Sequence, residues 1–411
     1  MIRDLSRRSL LKGVGWAALG AAVRPVSLLA RAAERAQRPR NVLLLTFLRG
    51  GADGLSLCAP YSDPEYYELR PTVALPRPRT AGSESLIDLD GHFGLHPQLA
   101  PLKPLYDSQR LAILHGVGSP FATRSHFDAQ EFIETGTPGV KGTTTGWLDR
   151  CLTAARAESR IPGVSFSALQ PRSFQGSQPV LVTRELTGFD FEAPGWRDQA
   201  EQALRRLYGA DRGPVGRLGV RALDAVREVR SAPELAAPPA NAAVYPKGAL
   251  GEAFRQSAQL IRADLGVRCL FVDVPGEFDT HSNQLDHNRK DYAELAGALA
   301  AFDRDLGRQM DRVVVLVVTE FGRTVAESGS AGTDHGSAGA MLVLGNPVHG
   351  GRVSGRWRGL AKKELYEERD LPVTTDFRDV FATVARKHLG VSDGSSLFPG
   401  YEPRDEPGIL R

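Results

Sequence analysis

The sequence has few cysteines, and their spacing limits what they can do. The 411 residues include only Cys58, Cys151 and Cys269, and no two of them form a C-x-x-C pair. This excludes a zinc site of the thiolate kind and permits at most one disulfide. Cys269 lies inside an apolar run, which is typical of a small buried side chain. A pairing of Cys58 with Cys151 stays open, since an oxidising compartment would permit it.

Dense basic runs and long apolar runs are also missing after position 40. No cluster of Lys and Arg interleaved with aromatic residues appears there, which argues against a nucleic-acid partner. The formal net charge of +3 comes from residues 1–32, which hold six basic residues and one acid; the remainder has 45 basic and 47 acidic residues. No apolar run is long enough for a stable membrane span.

The first 32 residues have the pattern of a twin-arginine signal peptide. Arg7 and Arg8 precede an apolar segment over 13–23, and 30–32 (Ala-Arg-Ala) form a small-x-small cleavage site. A basic amphipathic helix is the alternative. We expect the twin-arginine export machinery to be a partner and the mature protein to be periplasmic or secreted.

Five continuous apolar runs predict an α/β fold, with a mostly parallel sheet covered by helices on both faces. The runs are 41–48, 111–115, 268–274, 313–319 and 340–344. Between the third and fourth runs, one helical stripe is formed by Tyr292, Leu295, Leu299, Phe302 and Leu306. A strand, helix and strand in this order indicate a parallel βαβ unit.

Residues 33–411 are expected to form one domain with a helical insertion or cap over about 170–250. Helices are expected near 196–207 and 220–229, followed by an Ala/Pro-rich loop over 231–240. A closing helix is predicted over 374–389, beginning at Asp376.

Ligand-type side chains stand at the ends of the predicted strands. The carboxyl ends of parallel strands meet at one edge of a sheet, which is where ligands bind in open α/β folds. Divalent metals such as Zn, Mn, Ca or Mg need oxygen and nitrogen ligands from separate segments. We therefore predict a divalent metal site built from Asp53, Asp279, His281, Glu320, Asp334 and His335. For Asp53, which precedes Gly54, a turn or helix cap is the open alternative.

Three further residues are candidates for catalysis. Ser125 precedes a helical run over 127–136, so it is either a nucleophile activated by a metal or a helix cap. His126 is a candidate ligand or proton donor. Arg323 could bind a tetrahedral oxyanion, or form a salt bridge with Glu320. No G-x-S-x-G turn surrounds Ser125, which disfavours a metal-free serine esterase.

The order of these parts resembles the alkaline phosphatase and sulfatase superfamily. More closely, segments across 40–390 are similar to the exported DUF1501 family, namely 48–54 (LRGGADG), 90–97 (DGHFGLHP), 125–128 (SHFD), 142–149 (GTTTGWLD), 279–281 (DTH), 319–324 (TEFGRT) and 333–336 (TDHG). The resemblance implies an alkaline-phosphatase-like sheet. It also implies a one- or two-metal centre that activates a nucleophile against a small or glycan-borne anionic ester.

Two departures from the superfamily pattern affect the metal positions. Its acid and histidine are usually separated by three residues, whereas Asp279 and His281 are separated by one, and His287 is an alternative partner. An Asp-His pair is replaced by Glu320 and Phe321, so one metal position is expected to be altered or empty. We expect an exported metal-dependent hydrolase of phosphate or sulfate esters. The alternative is a non-catalytic exported metal-containing binding protein of the same fold.

Overall fold

The computed structural model describes residues 40–78, 84–157, 159–186, 195–275, 278–404 and 407–411. The predicted signal peptide, residues 1–32, lies outside the described residues. The strands are β1 (Val42–Leu48), β2 (Cys58–Ala59), β3 (Ile87–Asp88), β4 (Gly94–Leu95), β5 (Leu111–Gly118), β6 (Gly163–Phe166), β7 (Val180–Thr183), β8 (Cys269–Val274), β9 (Val313–Thr319), β10 (Gly339–Leu344), β11 (Arg352–Ser354) and β12 (Thr375–Asp376).

A mixed sheet of nine strands forms the centre of the described part of the chain. Its order is β11-β5-β10-β9-β1-β8-β6-β7, with β12 paired to β5. β10 runs antiparallel to β5 and β9, and the other pairs are parallel. β2, β4 and β3 form a small separate antiparallel sheet. The predicted α/β class with a mostly parallel sheet is confirmed.

Helices cover both faces of the large sheet. The α-helices are α1 (Gly54–Leu57), α2 (Pro64–Leu69), α3 (Lys103–Asp107), α4 (His126–Thr135), α5 (Trp147–Ala154), α6 (Arg197–Ala210), α7 (Pro214–Ser231), α8 (Ala249–Ala263), α9 (Gln284–Leu306) and α10 (Phe377–Lys387). Short 3₁₀ helices span Pro97–Leu102, Arg172–Phe174, Pro233–Leu235, Gly307–Arg312, Lys362–Glu364 and Ser395–Leu397.

Alternate residues of the central strand β1 enter two different cores. Leu44 packs in a cluster with Phe254 of α8 and Leu295 of α9. Leu45 packs on the other face, in a cluster with Trp147 of α5 and residues of α10. Neighbouring residues of a strand point to opposite faces, so a strand buried on both faces must be apolar throughout. This is the physical origin of the continuous apolar runs.

The cysteines do not pair. Cys58 and Cys151 are free and buried, and they belong to the clusters on opposite faces of the sheet. The disulfide between them that the sequence left open is therefore not formed. Cys269 is buried in β8, as expected. No helix in the described ranges is long and apolar enough to cross a membrane.

Two other predicted segments can be compared directly. The closing helix is α10, and the side chain of Asp376 caps it by accepting from the backbone N–H of Arg378 (2.9 Å). The predicted insertion over 170–250 contains α6 and α7, but it also contains β7, which pairs with β6 in the central sheet. The helical part of that segment therefore begins after β7.

This topology brings the candidate side chains to one edge of the large sheet. The carboxyl ends of β1, β5, β8 and β9 and the amino end of the antiparallel β10 lie at one edge of the sheet. The connections leaving and entering these strand ends are brought together there.

Candidate metal centre

Three imidazoles and one carboxylate converge at this edge of the sheet. Nε2 of His335 lies 3.0 Å from Nε2 of His126 and 3.0 Å from Nε2 of His281. Oδ1 of Asp279 lies 3.1 Å from Nε2 of His335 and 3.0 Å from Nε2 of His281, and Oδ2 lies 3.4 Å from Nε2 of His126. We call these four residues the His–Asp cluster. Three of them, His126, Asp279 and His335, have ligand atoms that all lie within 4.8 Å of one another.

Two of the imidazoles are held from behind by buried or backbone acceptors. Nδ1 of His126 lies 2.8 Å from Oε1 of Glu320. Nδ1 of His335 lies 2.8 Å from the backbone carbonyl oxygen of Arg124. A carbonyl oxygen and an ionised carboxylate can only accept, so each Nδ1 carries the hydrogen. Each Nε2 then turns its lone pair toward the cluster.

His281 is held by an exposed acceptor instead. Its Nδ1 lies 3.0 Å from Oδ1 of Asp334, and the side chains are 46% and 59% exposed, respectively. The same tautomer follows, with Nε2 facing Asp279 and His335. This histidine is therefore the least firmly fixed of the three.

Glu320 is a fully buried carboxylate that is held in place by several donors. Its Oε1 accepts from the backbone N–H of Gly50 (2.9 Å) and from Nε2 of Gln130 (2.9 Å), in addition to His126. Burial would raise the pKa of Glu320, but the hydrogen bonds from His126 and Gln130 bring that pKa below its usual value. The hydrogen bond to ionised Glu320 in turn raises the pKa of His126 above its usual value, against the effect of burial.

Asp279 is ionised for a similar reason. Burial would raise the pKa of Asp279, but hydrogen bonds from Arg323 and His335 lower it overall. The contact to Nη1 of Arg323 is 2.8 Å long. The carboxylate is thus available as an anionic ligand.

A divalent cation fits this donor set. Two unprotonated Nε2 atoms that face each other at 3.0 Å repel, unless a proton or a cation lies between them. The three carboxylates around the cluster, on Asp279, Glu320 and Asp334, face one guanidinium, that of Arg323, which leaves two negative charges when the imidazoles are neutral. An acceptor that holds the Nδ1–H of a histidine is the usual support for an Nε2 that binds a metal.

Asp53, which was predicted as a metal ligand, instead forms a buried ion pair and caps a helix. Its carboxylate forms a buried, two-pronged ion pair with Arg70 (2.5 and 3.1 Å), accepts from Ser56 (2.6 Å) and Gln284 (2.7 Å), and caps α1. Burial would raise the pKa of Asp53, and Arg70 lowers it overall. Since both oxygens already have protein partners, the turn-and-cap alternative describes this residue.

The other predicted ligands divide into two groups. Asp279, His281 and His335 belong to the His–Asp cluster, and their role as metal ligands stays a prediction. Glu320 and Asp334, which were also predicted as ligands, contact the Nδ1 atoms of His126 and His281 and so lie one shell further out. Sequence order shows which side chains reach the edge but not which atom of a histidine they contact.

Arg323 is placed differently from both expectations. It is buried, and it pairs with Asp279 rather than with Glu320. Its other two nitrogens donate to the side-chain and backbone oxygens of Thr333. The guanidinium therefore positions Asp279 and the loop before β10, and because its side chain is fully buried it does not face an external oxyanion.

Ser125 occupies the N-cap position of α4. Its hydroxyl accepts from the backbone N–H of Asp128 at 3.5 Å, which is a weak contact. The side chain is exposed and directly precedes His126. His287, the alternative partner of Asp279, is exposed on α9 and does not belong to the cluster.

The roles of Gln130 and Arg49, which lie behind Glu320, were not predicted from the sequence. Gln130 donates to Glu320 and accepts from Arg49 (2.9 Å), and Arg49 also pairs with Asp273 (2.5 Å). The available signal was the spacing of four between His126 and Gln130, which puts both on one helix face. Phe321 packs its ring against those of His126 (4.8 Å) and His335 (5.0 Å), so it supplies an aromatic wall beside the cluster.

The fold and this geometry define an α/β protein with a candidate metal centre at the carboxyl edge of its sheet. The family model described as "Protein of unknown function (DUF1501)" matches residues 119–398, and the chain belongs to this family. No curated protein matches the chain.

Several solved structures have a distantly similar fold. They include the lipoteichoic acid synthase LtaP from Listeria monocytogenes (9% identity, TM-score 0.38, covering 91% of this chain and 77% of that one). The PsFucS1 sulfatase from Pseudoalteromonas sp. has 12% identity and a TM-score of 0.39 over 94% of this chain and 76% of its own. The phosphonate monoester hydrolase SpPMH from Silicibacter pomeroyi has 9% identity and a TM-score of 0.36 over 85% and 73%. This similarity is one of fold alone.

Proposed function

We propose that this protein is a metal-dependent hydrolase of phosphate or sulfate esters, exported by the twin-arginine machinery to the periplasm or beyond. The observation that carries the proposal is the convergence of three Nε2 atoms on Asp279, with every Nδ1 held by an acceptor. Such an arrangement costs free energy unless a cation occupies it, because like lone pairs and negative charges face each other.

The donor set favours zinc or manganese among the four metals considered. Three of the four donors are imidazole nitrogens, which suit transition metals, whereas calcium and magnesium prefer oxygen ligands. When bound, such a cation supplies a Lewis acid that polarises a phosphoryl or sulfuryl oxygen and stabilises the negative charge that develops there.

The chain's own residues supply the other functions. Glu320 and the carbonyl of Arg124 orient His126 and His335, and Arg323 orients Asp279. Ser125 is the proposed nucleophile, because its exposed hydroxyl adjoins His126 and its cap contact at 3.5 Å is weak enough to break.

The central test is metal analysis of the purified mature chain, followed by assay with an aryl phosphate and an aryl sulfate. We expect one equivalent of a transition metal, and turnover that a chelator removes and zinc or manganese restores. Absence of bound metal after reconstitution would sink the proposal, and bound metal without turnover on a broad ester panel would remove its catalytic part.

Two variants separate the nucleophile from the helix cap. Ser125→Asn keeps a good N-cap side chain but has no hydroxyl, and Ser125→Ala lacks both. If Ser125 is the nucleophile, both variants lose turnover while only Ser125→Ala loses stability, by about 1 kcal/mol. Retained turnover in Ser125→Asn would show that Ser125 is only a cap.

One observation favours a non-catalytic, exported, metal-containing binding protein as the second candidate. His281 adds a fourth protein donor beside Asp279 and His335, and a site whose positions are all filled by protein donors is typical of structural zinc. This candidate predicts stoichiometric metal, no turnover and a strong loss of stability on chelation.

A further inference from the structure

The end of the α6–α7 hairpin, residues 206–221, exposes large apolar side chains. Leu207 and Val215 are 65% exposed and Leu218 is 57% exposed. Leu218 lines an open groove of about 720 Å³ at the same end of the hairpin. Single exposed apolar residues are ordinary, but three on one short turn with the flanking helix ends form a surface that water solvates poorly.

The same segment carries cations that have no anionic partner. Arg206, Arg212, Arg217 and Arg221 are exposed, and none of the four forms an ion pair within the described ranges. Arg217 donates only to the backbone carbonyl of Arg212 (2.7 Å). Their guanidinium groups are therefore available to an external anion.

The acids of the hairpin are committed elsewhere. Glu201 pairs with Arg205 (2.9 Å) and Arg227 (2.7 Å), and Asp224 also pairs with Arg205 (2.7 Å). These ion pairs join the two helices to each other. Asp211 uses its two oxygens to accept backbone N–H groups at the start of α7. The hairpin is thus braced internally, and its positive charge is concentrated at residues 206–221.

The other end of α7 is anchored in the protein interior. Val229 belongs to the cluster that packs on one face of the large sheet, and Leu223 is buried as well. The hairpin is therefore held at Val229, while the turn between the helices is the part that is free to meet a partner.

We propose that residues 206–221 bind the surface of an anionic phospholipid bilayer. Apolar side chains that enter the headgroup boundary, together with arginines that bind lipid phosphates, are the usual means of such peripheral binding. Leu207 adjoins Arg206 and Leu218 adjoins Arg217, so apolar and charged groups alternate around the turn. The net positive charge of this turn complements the negative surface potential of such a bilayer.

The test is co-sedimentation of the mature chain with vesicles of phosphatidylglycerol and phosphatidylcholine, compared with pure phosphatidylcholine. We expect binding only to the anionic vesicles, weakening as salt is raised. The triple variant Arg212→Gln/Arg217→Gln/Arg221→Gln should weaken binding at least about tenfold, and Leu207→Ser/Leu218→Ser should weaken it at low salt as well.

A matched control removes the same charge elsewhere. Arg304→Gln/Arg308→Gln/Lys363→Gln changes three exposed cations outside the hairpin and should leave vesicle binding within about twofold of the parent. Equal loss in this control would reduce the effect to net charge and overturn the proposal. It is also overturned if anionic vesicles fail to bind, or if the apolar patch is covered by a dimer that dissociates in Leu207→Ser/Leu218→Ser.

Discussion

The three imidazoles of the His–Asp cluster differ in how firmly they are fixed. His126 is held by the buried carboxylate of Glu320, and His335 by a backbone carbonyl. His281 is held by Asp334, whose side chain is 59% exposed. This exposed hydrogen bond holds His281 less firmly than the buried acceptors hold the other two imidazoles, so His281 would be the donor most easily released from a bound metal. Release of His281 would open a coordination position, which a catalytic site needs and a structural site does not.

This difference predicts a ranking of metal affinities. His126→Ala and His335→Ala should weaken metal binding by at least about 100-fold, whereas His281→Ala should weaken it by about tenfold. Competition with a chromogenic chelator measures the affinities without any substrate. His287→Ala is the matched control, because His287 is an exposed histidine outside the cluster. An equal loss in His281→Ala and His126→Ala would show that all four donors are required.

Gln130 lies behind the cluster, because it donates to Glu320, which in turn holds His126. Gln130→Leu keeps the size of the side chain but removes the donor to Glu320 and the acceptor for Arg49. We expect metal affinity to fall about 10- to 100-fold with little change in the helix, because Glu320 and His126 lose their orientation. The neighbouring Glu131→Gln, which changes a residue paired with Arg172, should leave metal affinity unchanged. Unchanged affinity in Gln130→Leu would mean that Glu320 alone suffices.

At the scale of elements, five strands of the large sheet and the edge at which they deliver side chains follow from the sequence. A strand covered on both faces must be apolar at every position, so β1, β8 and β9 are recognisable without homologues. β6 was missed because it is only four residues long, and β7 was missed because it is equally short, half-buried and at the edge of the sheet. Their sequences therefore lack the long apolar run that marks a central strand.

The pairing of side chains within the site does not follow from local sequence. Asp53 forms an ion pair with Arg70, which is fully buried at the end of α2. Arg323 forms an ion pair with Asp279 and not with Glu320, although Glu320 is nearer in sequence. These ion pairs depend on which side chains the tertiary fold buries together. The pattern of residues at strand ends contains no information about such burial.

At the turn after β1, the backbone of Gly50 lies close to the backbone of Asp279. Gly50 has φ +118°, and a Cβ there would lie 2.6 Å from the backbone nitrogen of Asp279. Gly50→Ala should therefore displace Asp279, destabilise the fold and weaken metal binding. Gly91→Ala is the matched control, since Gly91 has φ +83° with nothing within 4 Å of the added Cβ.

Urea unfolding distinguishes backbone strain from the close approach. Gly91→Ala should cost about 1–2 kcal/mol for the left-handed conformation alone. Gly50→Ala should cost about 1–3 kcal/mol more, because the added atom also overlaps backbone. Equal costs for the two variants would mean that the loop of Asp279 moves aside freely.

At the scale of the whole molecule, buried histidines outside the cluster link stability to pH. Burial lowers the pKa of His96, His115 and His388 to about 4 each. Nε2–H of His115 donates to the carbonyl of Cys58 (2.8 Å), and Nε2–H of His388 donates to that of Val42 (3.0 Å). Between about pH 4 and pH 6.5 these imidazoles are neutral in the folded protein, whereas the unfolded chain, with a pKa of about 6.5, protonates them.

The sign of the pH dependence follows from these shifts. Above pH 6.5 both states leave the three histidines neutral, and their contribution to stability is fully present. As pH falls from about 6.5 to about 4, only the unfolded state binds the protons, so each group removes up to about 1.4 kcal/mol of stability per pH unit. Below about pH 4 both states are protonated and this loss stops growing.

Urea unfolding of metal-free protein at pH 4.5, 5.5 and 6.5 measures this effect. His115→Gln should reduce the histidine part of the slope by about a third, and His115→Gln/His388→Gln by about two thirds, because the three shifts are similar. His126 and the carboxylates titrate alike in parent and variants, so they cancel in the comparison. A slope that is unchanged in the double variant would show that these imidazoles are protonated inside the folded protein, which their burial among β1, β2 and β5 should prevent.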